Sequence, residues 1–201
     1  MPQTNDPWIR ENFQRNCIAR GLKSCHNNDI IIVADADEIP KASVVASYKK
    51  EMGLTCVETN LYYYKLNYLV TNTKWYKLRI MPYSEIANGD IQRIRGKDDY
   101  NYNNTIYDGG WHFSYFGDQA HIKQKLESYA HVEYNTQSIK SEENLLAAIN
   151  HGKDLLGRNV NVQICDTYDS LPRFVVDNID YYRNKKLIAC DSSTYWQNKR
   201  N

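Results

Sequence analysis

Asp29-Ile30-Ile31-Ile32-Val33-Ala34-Asp35-Ala36-Asp37-Glu38-Ile39-Pro40 is the stretch whose reading decides the fold. Ile30 to Val33 run without a polar interruption, which predicts a strand buried on both faces of a layered α/β sheet. Asp35, Asp37 and Glu38 then fall at its carboxyl end, the edge where open α/β sheets bind ligands. Side chains two apart in an extended segment point the same way, so Asp35 and Asp37 can address one ion together.

Carboxylates this close repel each other and cost desolvation unless a cation compensates them. A hard divalent ion, Mg²⁺ or Mn²⁺, suits oxygen ligands and keeps coordination positions for water and substrate phosphate. The competing reading is a solvated acidic turn. An EF-hand loop fails on the letters, because Ile39 and Pro40 stand where the loop needs its glycine and further ligands. A phosphatase using the first Asp of Asp-x-Asp as nucleophile would want a small hydroxyl or Val at Ile39 and a downstream Lys with paired acids; Asp98-Asp99 is the one acid pair on offer.

The 201 residues suffice for one domain with a real core, expected over residues 1–185, with a polar tail at 186–201. Lys and Arg number 25 against 24 Asp and Glu, so charge gives no argument for nucleic acid or an anionic membrane as partner. The sequence has no apolar run of membrane-spanning length and no signal-like start, so as written the chain is expected to be cytoplasmic. Cys17, Cys25, Cys56, Cys165 and Cys190 are odd in number and scattered, which predicts reduced thiols, with Cys17 and Cys56 as small core residues. The sequon Asn103-Asn104-Thr105 has meaning only in a secreted protein. Seventeen tyrosines and four tryptophans suit sugar rings and strand packing equally.

In chain order, Asp6-Pro7 and Gly21 bracket a helix over 8–20, with Ile9, Phe13 and Cys17 on its expected buried face. Lys41 to Glu51 reads as a second helix, Thr55 to Glu58 as a short strand, and Leu61 to Val70 as an alternating strand whose tyrosines serve packing or an acceptor platform. Trp75 to Met81 returns as a neighbouring strand. Ala87 to Tyr107 reads as a long polar loop, either solvated or a lid whose Arg93, Arg95 and Lys97 meet phosphate.

Asp108-Gly109-Gly110-Trp111-His112 is the second informative stretch: glycines allow a backbone to approach a ligand, and Trp, His and Asp serve sugar, metal and proton-transfer chemistry. His112 is a structural histidine or a metal ligand. Helices are expected from Lys123 to Glu127, from Glu142 to His151 between Ser141 and Gly152, and across Asp166 to Tyr182. His131 and Glu133 form a third cluster.

Three stretches, Ile32 to Pro40, Gly109 to Gly117 and Lys125 to Glu133, together resemble glycosyltransferase family 17, the β-1,4-mannosyl-glycoprotein 4-β-N-acetylglucosaminyltransferase family. Trp8-x-x-Glu11 with Arg15, and Leu171-Pro172-Arg173-Phe174 with Asn178, add to the resemblance, which covers about Pro7 to Tyr182. It implies a GT-A-like nucleotide-sugar transferase fold, a mixed sheet flanked by helices. It further implies UDP-N-acetylglucosamine as donor, a glycan acceptor, a divalent cofactor (Mn²⁺ or Mg²⁺) and an inverting mechanism. On that resemblance Asp37 is the direct metal ligand, Asp35 faces the ion's waters or the ribose, and His112 is a further ligand. Trp111 lies against the sugar, Glu38 and His131 bind substrate, and Glu133 is the base, with Asp108 as the alternative. The chain starts almost at the Trp8 helix, where the family is expected to carry earlier strands that complete the uridine pocket; a Golgi-type membrane location follows only if such a missing segment carries an anchor. The rival from another class is a non-catalytic sugar or nucleotide-sugar binding module, or an inactive truncated transferase. Oligomeric state is left open by the sequence.

Overall fold

A computed structural model describes residues 1–86, 90–96, 104–165 and 167–189. It is a mixed α/β chain that divides into two compact units. The first holds residues 1–59, 75–110 and 129–132; the second holds 60–74, 111–128 and 133–201.

In the first unit, Asp6 caps helix α1 (Pro7–Asn16) by accepting the Trp8 amide at 2.9 Å, with Pro7 in the opening turn. The helix is shorter than the punctuation suggests, because Cys17–Leu22 tightens into a 3-10 turn. Its expected buried face is not covered by the described residues: Ile9 is 48% and Phe13 36% exposed. Ala19 and Leu22, in the 3-10 segment, pack on the core instead.

Strand β1 (Ile30–Val33) pairs antiparallel with β5 (Trp75–Pro82), Ile30 opposite Pro82 and Val33 opposite Arg79. Ile31 and Val33 are buried while Ile30 and Ile32 are 40% and 37% exposed. The expectation of burial on both faces is therefore corrected. An uninterrupted apolar run does not report what covers its outer side, and a strand in antiparallel pairing is stable with one face wet. The inward pair still contributes about 1.5–3 kcal/mol per side chain. Strand β2 (Glu38–Pro40) follows the acidic turn, and helix α2 (Ala42–Ser47) and a 3-10 turn (Lys50–Met52) divide what reads in sequence as one helix.

Strand β3 (Thr55–Tyr63) pairs antiparallel with β5, Thr55 opposite Ile80 and Val57 opposite Leu78, with a register shift before Thr59. Val44, Tyr48, Val57, Leu78 and Ile80 form one core cluster. Ile31, Val33, Leu54, Met81 and Ile86 join Ile91 and Ile94 in another. The last two come from helix α3 (Ile91–Gly96), inside the stretch expected to be a loop. Residues 87–89 and 97–103, with Lys97, the Asp98-Asp99 pair and Asn103 of the sequon, lie outside the described residues.

Strand β6 (Asn104–Ser114) begins in the first unit and ends in the second, as β3 does. In the second unit, Tyr62 of β3 pairs with Leu69 of β4 (Tyr68–Val70), and β4 with β7 (Val162–Ile164). Between β3 and β4 the chain turns through Tyr64 at φ 62°, which ends the alternating strand expected to reach Val70. Tyr62, Tyr63, Tyr64 and Tyr68 are all buried. Three of the hydroxyls do internal work: Tyr64 donates to the Lys153 carbonyl at 2.9 Å and accepts the Leu155 amide at 3.0 Å, Tyr68 donates to the Asn150 carbonyl, and Tyr63 accepts from Arg158. For these residues the packing reading of the tyrosine excess holds.

Helix α4 (Gln119–Ser128) buries Ile122 and Leu126. Helix α5 (Glu142–His151) has the expected bounds: the Ser141 side chain accepts the Asn144 amide, acids fill the first turn, and Gly152 closes it at φ 64°. The last expected helix is two short ones, α6 (Arg173–Asp177) and α7 (Ile179–Asn184), broken at Asn178, whose side-chain amide donates to the Phe174 carbonyl. Cys17, Cys25 and Cys56 are free thiols; Cys56 is buried and Cys17 half-buried, and Cys190 lies outside the described residues, as does the tail from 190 onward. Among the described residues no helix is long and apolar enough to cross a membrane.

Candidate active site

The acidic stretch leaves β1 and turns at Ala36-Asp37 before entering β2. The turn is closed reciprocally: the Glu38 amide donates to the Asp35 carbonyl and the Asp35 amide to Glu38 Oε2, each at 3.0 Å. Glu38 faces inward with its side chain fully buried. An unpaired carboxylate there would be expensive, and it is paired. Arg95, on α3, donates Nη1 to Oε2 at 2.8 Å and Nη2 to Oε1 at 2.7 Å, a fork-to-fork pair. The Trp75 indole N–H also donates to Oε1. Glu38, expected to bind substrate, thus stands beneath the loop rather than on its surface.

Arg95 also reaches Asp35 through Nη2 and the Lys77 carbonyl through Nη1 at 2.7 Å. Burial alone would push its guanidinium down, but the Glu38 and Asp35 carboxylates outweigh burial and the net shift is upward. Removing one member of such a buried pair costs about 3–5 kcal/mol. Arg95 therefore does not wait in a loop for phosphate, as its sequence context suggests. The signal for its true place is Ile91 and Ile94 at helical spacing, with Arg95 four after Ile91 on the same face.

Helix α1 reaches the same loop. Arg15 is gripped by Glu11 at 2.8 Å and Gln92 at 2.6 Å, and its Nη2 stands 3.9 Å from Asp35 Oδ1. Asp35, 46% exposed at its side chain, lies between two guanidinium groups, and half-buried Asp37 holds the tip of the turn. At the other end of α1, the Trp8 ring meets exposed His131 edge-on, centroids 4.7 Å apart, with Tyr129 at 5.5 Å from the same imidazole. Trp8, Glu11, Arg15, the acidic turn and His131, dispersed in sequence, belong to one unit.

The Gly109-Gly110 pair belongs to that unit as well, in a different role from the one expected. A Cβ on Gly110 would fall 2.4 Å from the Ile39 carbonyl oxygen, and one on Gly109 2.4 Å from Val57 Cγ1. The glycines let β6 lie against β2 and β3, a close approach to the protein's own chain. Asp108 precedes them at φ 49°, and its carboxylate accepts from Lys41 Nζ at 2.6 Å. Its amide donates to Glu58 Oε1 at 3.3 Å, and Tyr76 donates to Glu58 Oε2 at 2.6 Å. That hydrogen bond, with some burial, pushes the Tyr76 phenol up to about 12.

In the second unit, Trp111 donates its indole N–H to the Ser170 carbonyl and packs beside Phe113, Leu171 and Val175. His112 is buried in β6, and Glu133 is exposed in a 3-10 turn (Val132–Tyr134).

Among the described residues no group of three or more His, Cys, Asp or Glu side chains could hold a metal ion. The donor set around the turn is two carboxylates, Asp35 and Asp37. That fits an ion of the Mg²⁺ or Mn²⁺ kind, which takes one or two carboxylates and fills its sphere with water and substrate phosphates; it does not fit an ion needing an all-protein cage.

A mixed α/β chain with an acidic turn after a strand does not by itself name an activity, and comparison with known families makes the class specific. Residues 1–163 match the sequence model of glycosyltransferase family 17, and the chain belongs to that family. No curated protein and no solved structure matches it. The family assignment displaces the phosphatase reading.

Proposed function

We propose that the chain transfers N-acetylglucosamine, or a related hexosamine, from a UDP-sugar to a glycan hydroxyl with inversion, on a GT-A-like scaffold and with Mn²⁺ or Mg²⁺ as cofactor. The observation that supports this best is the turn after β1. Two guanidinium groups, from α1 and α3, converge on Asp35, and Asp37 holds the tip. A turn held in this way presents fixed negative charge without reorganisation when ligand arrives.

Asp37 and Asp35 would hold the ion, which when bound supplies positive charge against the departing nucleoside diphosphate. A carboxylate of the chain removes the proton from the acceptor hydroxyl as that oxygen attacks the anomeric carbon and the sugar–phosphate bond breaks. Glu133 is the proposed base and Asp108 the alternative. Trp111 is proposed to lie against the sugar and His131 to contact substrate; His112 is a proposed ligand only in the sense the family resemblance gives it. Glu38 serves the site by holding the turn.

The test is transfer itself: the chain with UDP-N-acetylglucosamine, Mn²⁺ and a panel of N-glycan acceptors, read by product mass. A mass gain of one N-acetylhexosamine supports the reading. Hydrolysis or donor binding with no product on any acceptor favours the binding module.

A further inference from the structure

The three carboxylates of the acidic turn are not equivalent, and the difference is made by one buried cation. Glu38 is sealed from solvent, Asp35 is 46% exposed at its side chain, and Arg95, itself 3% exposed, bonds to both. The path runs from a buried anchor, through a rigid planar fork, to an exposed carboxylate. We propose that Arg95 is a positioning residue of the donor site: fixed by Glu38, its guanidinium holds the Asp35 carboxylate in the pose from which Asp35 and Asp37 share a divalent ion. This rests on the donor reading above.

Three features carry the argument. The first is geometry. Arg95 spends Nη1 on Glu38 and the Lys77 carbonyl and Nη2 on Glu38 and Asp35, so the guanidinium plane is fixed by the first partners before the last is engaged. A lysine offers a point charge on a flexible stem and cannot reproduce a bidentate anchor with a third carboxylate in reach. The second is charge. Asp35, Asp37 and Glu38 with Arg95 sum to 2−, the complement of one divalent cation, whereas without Arg95 the turn would carry 3−, one of those charges buried. Arg15 does not replace it, because Glu11 already pairs with Arg15 at 2.8 Å. The third is burial. Neither Glu38 nor Arg95 is open to ligand, so both act through the carboxylate they place. Groups that orient a metal's ligands in this way typically govern 10–100-fold in metal affinity.

A merely structural ion pair would have another signature. Replacing a buried pair by uncharged residues of similar volume is often neutral for stability, so a double variant separates holding the fold from holding Asp35. Arg95→Met combined with Glu38→Gln removes both charges and keeps an acceptor for the Trp75 indole N–H. Arg95→Lys keeps the charge and loses the fork. For wild type and both variants, thermal melting gives stability, and free Mn²⁺ is followed by electron paramagnetic resonance during titration, with and without UDP. The expected result is a cooperative melt for the double variant and at least a tenfold loss of Mn²⁺ affinity in the presence of UDP, with Arg95→Lys losing as much. Either variant melting cooperatively and binding Mn²⁺ with UDP as wild type does would overturn the proposal. Wild type that binds no Mn²⁺ with UDP would overturn the donor reading beneath it, a result visible before any variant is made.

Discussion

Gly110 lies so close beneath Ile39 that a Cβ on it would stand 2.4 Å from the Ile39 carbonyl oxygen. The contact is backbone on backbone, which no rotamer change relieves. It ties the second informative stretch to β2, and so to the residues that carry the acidic turn. Gly110→Ala should destabilise the chain by about 2–3 kcal/mol, as overpacking a close contact does, and displace Glu38 with β2. Denaturant unfolding measures the first effect and loss of metal-dependent donor binding the second. Wild-type stability in the variant would contradict this packing.

Tyr64 is tied at its hydroxyl to two backbone groups, the Lys153 carbonyl and the Leu155 amide. Tyr64→Phe keeps the ring and strands both. A loss of about 1–3 kcal/mol is expected, most of it from the buried Leu155 amide, with metal binding unchanged. Unfolding curves beside Mn²⁺ titrations check both halves.

The phenols give the chain an alkaline limit. Tyr76 is raised from 10.0 to about 12, chiefly by its hydrogen bond to Glu58, and Tyr63, Tyr64 and Tyr68 are raised chiefly by burial. In the unfolded chain they ionise near 10, so between that point and their folded values the native state binds more protons. Their stabilisation is whole below about pH 10 and is lost as pH rises through the folded values. Melting temperature should fall steeply above pH 10. Glu58→Gln removes the carboxylate charge that strengthens the hydrogen bond at Tyr76, so the 295 nm titration difference between Glu58→Gln and its Tyr76→Phe double variant should have its midpoint nearer 10.

The proton-transfer assignment separates by kinetics. Glu133→Gln should lower kcat by at least 100-fold while donor binding stays within twofold. Asp108→Asn, which removes the charge that pairs with Lys41, should lower kcat by less than tenfold. The reverse order would make Asp108 the base.

What the sequence could show follows from how local each signal is. Helix α5 was legible to the residue, because Ser141, its first-turn acids and Gly152 act within the helix itself. The strand at Ile30 was legible and its second face was not, since coverage depends on elements elsewhere in the chain. Helix α3 is six residues long between polar segments, so its two isoleucines read as incidental. Arg95 reads as a loop cation for the same reason: the buried acid it neutralises lies 57 positions earlier. The glycine pair announced a close approach but not to what, because a backbone partner and a ligand make the same demand on a glycine. The acidic turn is legible as a cluster; that its members divide into a buried anchor, Glu38, an exposed Asp35 and a half-buried Asp37 needs the fold.

The central claim is a donor site built on Asp35 and Asp37. Calorimetric titration of UDP-N-acetylglucosamine into the purified chain, with Mn²⁺, with chelator, and with Asp37→Ala in Mn²⁺, tests it most directly. The account predicts binding that needs Mn²⁺ and is lost in Asp37→Ala. Binding that is as strong in chelator, or that survives Asp37→Ala unchanged, would contradict it.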